Sequence, residues 1–194
     1  ATINLAKRTD ILEAMREAYV TDCYFGIESP EENTLKDIDK KQNLGMPIVA
    51  ALDKVRSYGI EALAGVILGF DSDTEKTEQY ILQFIDELNC PLIAVNLLFA
   101  LPKTPLWDRL VREERVLPDK ESHHTNIRFK MPHETVLAMW RNCTRAAYQP
   151  LSVYRRYQHN METTYRARLQ LGHGRFGRNL NQLPKLGYIL TKIL

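Results

Sequence analysis

The sequence is poor in cysteine, in long apolar runs and, toward its carboxyl end, in acid. Cys23, Cys90 and Cys143 are odd in number and far apart among 194 residues. That spacing excludes a disulfide framework and shows no zinc or iron–sulfur ligand set. Each is expected to be a buried thiol in a reducing cytoplasm. No apolar stretch approaches the roughly 20 residues of a membrane-spanning helix. The opening residues Ala1 to Arg8 lack the basic-then-apolar layout of a signal peptide. With no Met at position 1, the chain is expected to be a portion of a longer one. A content of 44% hydrophobic and 26% charged residues fits a soluble globular protein with one or two cores.

The shortage of acid is local. Residues 151–194 hold eight basic side chains (Arg155, Arg156, Arg166, Arg168, Arg175, Arg178, Lys185, Lys192) against Glu162 alone, a net charge of +7. The whole chain carries +2, so residues 1–150 carry −5. With Tyr154, Tyr157, Tyr165, Phe176 and Tyr188 in the same segment, this basic excess suggests docking on an acidic surface, because basic amphipathic helices bind anionic interfaces. The alternative is a solvated face of arginines with the tyrosines in a core. Nucleic acid is the weaker partner, because no recognised binding motif accompanies the charge.

What is present is organised around Ile60 to Glu75. Its first ten residues are almost wholly apolar and read as a strand buried on both faces. Ser72 and Glu75 have the spacing of a capping box, so a helix is expected to begin near Asp73. In such a βα unit a ligand lies beyond the carboxyl end of the strand, which points to Gly69, Phe70 and Asp71. Gly65 and Gly69 mark places of close approach to the backbone, or merely relieve crowding.

The remaining elements repeat this unit. Thr2 to Leu5 is expected to end one strand, with Thr9-Asp10 opening an amphipathic helix. Cys23 to Glu28 is another strand, followed by Ser29-Pro30-Glu31-Glu32, an N-cap, a helix-starting proline and a capping acid. A helix through Leu35 and Ile38, the polar stretch Lys40 to Gly45, and a helix from Pro47 to Gly59 lead to the central strand. A helix over Thr74 to Leu88 precedes a buried strand at Leu92 to Phe99, and Thr104-Pro105 caps the helix after it. Four strands, each followed by a helix, predict an α/β fold with a parallel sheet. Beyond a loop holding His123 and His124, residues 133–148 and a helix running from Pro150 to Gly172 predict an α-helical carboxyl-terminal part, closed by a short helix from Pro184. The adjacent histidines point apart on an extended segment and have no evident third ligand, so a solvated or substrate-facing loop is favoured over a metal site.

Gly26-Ile27-Glu28-Ser29, Gly65-Val66-Ile67-Leu68-Gly69 and the loop ending in Pro102-Lys103-Thr104-Pro105-Leu106 resemble, in order and spacing, the later half of the radical S-adenosylmethionine (SAM) barrel. The Gly-Ile-Glu-Ser-Pro strand end, Lys40-Lys41-Gln42-Asn43 and the region from Thr125-Asn126 to Pro150 are similar to the cobalamin-binding radical SAM proteins that include the hopanoid methylases. The resemblance spans nearly the whole chain. It implies the carboxyl-terminal half of a partial (β/α)6 TIM-like barrel, strands three to six, over residues 1–115, with a helical domain over 116–194. It also implies that Glu28 and Ser29 contact the methionyl or ribosyl part of SAM. Gly65, Ile67 and Gly69 would pack beside adenine, with Leu98 and Phe99 on the same side. Asp71 stands slightly short of the position where many relatives carry an acid.

One departure matters more. The family holds a [4Fe–4S] cluster on a CxxxCxxC loop, which this chain lacks, so the portion alone is not expected to cleave SAM. A longer parent would generate a 5′-deoxyadenosyl radical, with cobalamin in a preceding domain and methyl transfer to an unactivated carbon of a small-molecule or lipid substrate as one outcome. Fold resemblance does not name that substrate. An ordinary parallel α/β enzyme is the last alternative, since no nucleophile motif, phosphate-binding glycine loop or metal triad is present.

Overall fold

In a computed structural model, the described residues are 1–31, 34–35, 47–117 and 124–168. They form an α/β fold around a small parallel sheet of three strands in the order β1 (Asp22–Glu28), β2 (Glu61–Leu68) and β3 (Ile93–Leu97). Helices α1 (Thr9–Glu17), α2 (Ile48–Arg56), α3 (Thr77–Glu87) and α4 (Pro105–Arg112) come between and after the strands. They are followed by α5 (His133–Ala147), α6 (Pro150–Glu162) and the single turn α7 (Thr164–Ala167).

The expected strand at Thr2 to Leu5 does not form. Ile3–Lys7 is a 3-10 helix, in which Leu5 and Arg8 donate backbone bonds to Thr2 and Leu5. Asn4, Ala6 and Lys7 give this stretch little β-branched character to hold it extended, and Ile3 alone of it is fully buried. Among the described residues there are therefore three strands, not four, and only the amino group of Ala1 reaches the outer edge of β1, donating to Tyr24 at 2.6 Å.

The sheet buries one face. Phe25 and Ile27, then Ala62, Ala64, Val66 and Leu68, then Ile93, Val95 and Leu97 form the core. Helix α2 packs on β2, and α5 packs on β2 and β3. The indole of Trp140 donates to the Val95 carbonyl at 2.9 Å, tying α5 to the sheet. The opposite set along the strands, Tyr24, Glu28, Leu63, Ile67, Ala94 and Asn96, is half-buried or exposed. Parallel sheets are ordinarily covered on both faces; among the described residues, helices cover this one on a single face.

Two helix boundaries differ from expectation. The helix from Pro150 stops at Glu162 and breaks at Thr163, instead of running on to Gly172. Helix α3 begins at Thr77 rather than near Asp73, for a reason that bears on the site. Ile38, Lys40 to Gly45, His123 and everything from residue 169 on, the expected helix from Pro184 included, lie outside the described residues.

Candidate functional site

The carboxyl ends of the three strands lie side by side. Gly26 pairs with Gly65 and Gly65 with Ala94, Ile67 pairs with Asn96, and Leu68 with Leu97. The register slips between Gly26 and Glu28, which pairs with Val66, and Glu28 takes a φ of 71°. A bulge with a left-handed residue re-aims a side chain, and positive φ at a glutamate is uncommon enough to suggest a functional constraint. Gly26 makes room for the result, since a Cβ there would lie 2.5 Å from Glu28 Oε1.

Gly65 in β2 and Gly69 just beyond it have the close neighbours that their spacing suggested, and both neighbours are aromatic. A Cβ at Gly65 would lie 1.9 Å from the Tyr24 hydroxyl, and one at Gly69 would lie 2.3 Å from the ring edge of Phe129. Ser29 is buried, its hydroxyl accepting from the Glu31 amide at 3.1 Å. Leu98 is in the core, its amide donating to Leu68 at 2.7 Å and its carbonyl accepting from the Thr125 hydroxyl at 2.6 Å. Phe99 is exposed. The structure thus gathers Glu28, Ser29, Gly65, Ile67, Gly69, Leu98 and Phe99 at one end of the sheet, with Glu28, Gly65 and Ile67 on its open face. Tyr24 and Asn96 share that face and were missed; counting by twos from Gly26 and along β3 would have found them.

Beyond β2, the helix start expected from the Ser72–Glu75 box does not form near Asp73, and Asp73 instead closes the strand end. Its Oδ2 accepts from the amides of Gly69 at 2.7 Å and Phe70 at 3.1 Å, turning the chain at the strand end. Helix α3 starts after a second small loop in which the Thr77 hydroxyl accepts from the Thr74 amide and donates to Glu31. The Ser72 hydroxyl donates instead to Thr34, 3.0 Å away. Asp73 Oδ1 is buried with no partner among the described residues. Burial pushes this carboxyl up to about 6, against the two amide bonds, and Glu31 and Asp71 add to the rise.

The sign of the linkage follows. A folded value above the unfolded one of about 4 favours the protonated form. The stability that this group contributes is complete below that unfolded value and is lost as pH rises through about 6. Asp73→Asn keeps an acceptor for both amides and cannot ionise, so its melting temperature should gain on wild type as pH rises from about 4 to about 7. A constant difference across that range would mean that the carboxyl does not titrate there.

Asp71 is a structural hub. It meets Arg109 at 2.6 Å, Arg115 at 2.6 Å and Lys130 at 3.5 Å. Burial alone would raise its carboxyl, but hydrogen bonds and charge from Arg115 and Arg109 hold it well below the usual carboxylate range. The segment after residue 124 completes the fastening. The Asn126 side chain accepts from the Ala100 amide and donates to the Ala100 carbonyl, both at 2.8 Å. His124 packs on Trp140, with ring centroids 4.9 Å apart.

Among the described residues, no group of three or more His, Cys, Asp or Glu is placed to hold a metal ion. A shallow cleft of about 370 Å³ is lined by Pro30, Glu31, Tyr80, Gln83, Phe84 and Glu87, and holds none of the expected site residues.

A hopanoid C-2 methylase from Rhodopseudomonas palustris (strain TIE-1) is 46% identical to the chain over 169 residues, which make up 87% of this chain and 32% of the relative. The chain belongs to this methylase's family. It is the subgroup that the Gly-Ile-Glu-Ser-Pro strand end and the region from Thr125 to Pro150 resemble. An uncharacterised methyltransferase of Synechocystis sp. (strain ATCC 27184 / PCC 6803 / Kazusa) is 32% identical over 63% of the chain and 23% of that relative. One of Pyrococcus horikoshii is 26% identical over 60% of the chain and 25% of that relative. A domain of unknown function, DUF4070, matches residues 104–193. The chain spans about a third of the length of the methylase.

Proposed function

We propose that this chain is the portion of a radical SAM methyltransferase that forms one wall of the SAM pocket and the floor beneath the substrate. The observation that carries this reading is the half-covered sheet. The face that no described helix covers displays Tyr24, Glu28, Gly65, Ile67 and Asn96, as the inner wall of a partial (β/α)6 barrel would. The residues fit the cofactor in kind. Tyr24 and Ile67 offer flat and apolar contact for a purine, the strand end at Gly69 offers backbone groups, and the bulge turns the Glu28 carboxylate toward a place where hydroxyls or an ammonium would be held.

They do not fit the cluster. Cys90 and Cys143 are buried, and Cys23 is half-buried on the core side of β1. The [4Fe–4S] ligands, and any cobalamin, would come from elsewhere in the protein. SAM held on such a cluster supplies the radical and methyl chemistry. This chain's part is to orient it and to keep water away. Because the 46% identical relative is named for a hopanoid, the substrate class proposed is a polycyclic lipid.

The test is the full-length protein, reconstituted without oxygen and assayed for 5′-deoxyadenosine and for methylated lipid. Glu28→Ala is expected to lower 5′-deoxyadenosine formation at least about tenfold through weaker SAM binding, since truncating a charged contact costs 2 kcal/mol or more. A folded, iron-loaded protein that never forms 5′-deoxyadenosine would refute the reading.

A further inference from the structure

Helix α6 is turned inside out. Its inner side buries Arg156 and Asn160, and the next turn buries Thr164. Arg156 donates to the Ala147 carbonyl, Asn160 donates to Asn89 at 2.7 Å, and Thr164 donates to Asn160 at 2.8 Å. Its outer side exposes Leu151, Tyr154, Tyr157 and Met161, at 55%, 64%, 45% and 63% of full accessibility. Spaced by three and four, these four side chains form one stripe. A surface helix ordinarily does the reverse, and a contiguous apolar stripe in water marks a surface that something else covers.

Charge indicates what that is. Arg155, one turn on from Leu151, is exposed beside the stripe, and Arg166 on α7 is exposed as well. Residues 151–194 carry +7 against −5 for the rest of the sequence, so the charge is lopsided along the chain toward the end that includes this helix. Tyrosine is a side chain favoured at the boundary between hydrocarbon and water, where the ring is buried and the hydroxyl stays wet. No helix among the described residues is long and apolar enough to cross a membrane.

We infer that the outer face of α6 docks on an anionic lipid bilayer. Leu151, Tyr154, Tyr157 and Met161 enter the boundary between headgroups and acyl chains, while Arg155 and Arg166 meet lipid phosphates. This deepens the lipid-substrate reading: the enzyme would collect its polycyclic substrate from the membrane surface.

The experiment is flotation of the full-length protein with vesicles of phosphatidylcholine alone, or of phosphatidylcholine mixed with phosphatidylglycerol. Wild type should float with the mixed vesicles, less so at high salt. Tyr154→Ser combined with Met161→Ser should partition at least about tenfold less, with an unchanged melting temperature. Tyr80→Ser, at an exposed tyrosine on α3, should float like wild type. Equal flotation of the double variant, or a wild type that ignores anionic vesicles, overturns the inference. So does a wild-type dimer that becomes monomeric in the double variant without any change in flotation, because the stripe then belongs to a second copy. Flotation needs no cluster and no turnover, so its failure leaves the SAM reading standing, and the converse holds.

Discussion

Asp71→Ala is expected to destabilise the full-length protein by about 3 kcal/mol, near the lower end for breaking a buried ion pair. Asp71 and Arg115 are mostly buried, at 16% and 11% side-chain exposure, whereas Arg109 and Lys130 are more open. Removing the carboxylate leaves the Arg115 guanidinium inside the protein with, among the described residues, only Glu113 and the Arg128 carbonyl as partners. For a domain of this size the melting temperature should fall by about 10 °C. The pH dependence has the opposite sign to that of Asp73. A carboxyl held below its usual range contributes stability above its unfolded value of about 4, and that stability is lost as the solution becomes more acidic. The variant should therefore differ most from wild type near neutrality and approach it in acid. A cost under about 1 kcal/mol at neutral pH would show that the cluster behaves as a solvated surface network.

Gly69→Ala should cost about 2 to 6 kcal/mol, from two sources that can be separated. The backbone at Gly69 has a φ of 102°, a region that an L side chain enters only with strain of about 1 to 3 kcal/mol. The new methyl would also stand 2.3 Å from Phe129 Cε1 and 2.9 Å from Cδ1, forcing an aromatic ring to move, at a further cost of about 1 to 3 kcal/mol. In a Phe129→Leu background the steric part should shrink and the backbone part persist, giving a positive coupling in a double-mutant cycle of melting temperatures. Strictly additive penalties would mean that the ring does not sit over Gly69 in solution. The Gly69 amide is held by Asp73, so the same substitution should also weaken SAM binding if this strand end lines the proposed pocket.

These two residues show where the sequence was readable. The three strands, the helices from Thr9, Pro47, Pro105, His133 and Pro150, and the Thr104 cap are all local. Their apolar periodicity, prolines and cap residues lie within a few positions of each other, and each element appears where its own residues place it. Gly65 and Gly69 were legible as points of close approach, but not what approaches them. Tyr24 comes from the neighbouring strand, and Phe129 from 60 positions along the chain. Asp71 could not be read as a hub, because its partners at 109, 115 and 130 are assembled by folding. Ser72 and Glu75 met a motif's spacing and lost to Asp73, which reaches the amides that end β2. Thr2 to Leu5 was too short for its pattern to separate a strand from a turn. In α6, Tyr154 and Tyr157 fit a core stripe as well as an outer one, because periodicity says that residues share a face and not which way the face looks.

The fastening of residues 124–131 across the strand ends limits how the protein could be taken apart and recombined. A chimera that replaced everything after Leu117 with the corresponding piece of one of the related methyltransferases would import a foreign carboxyl-terminal segment. It would also lose the Thr125 bond to Leu98, the paired Asn126 bonds to Ala100, the Phe129 ring over Gly69 and Lys130 beside Asp71. If the proposed reading holds, substrate preference and the posture of the SAM-side wall would therefore not be separately graftable at that junction. A working exchange would have to carry Gly69, Asp71, Leu98 and Ala100 with their partners, so that specificity in such enzymes would be transplanted as a block of contacts rather than as a length of sequence.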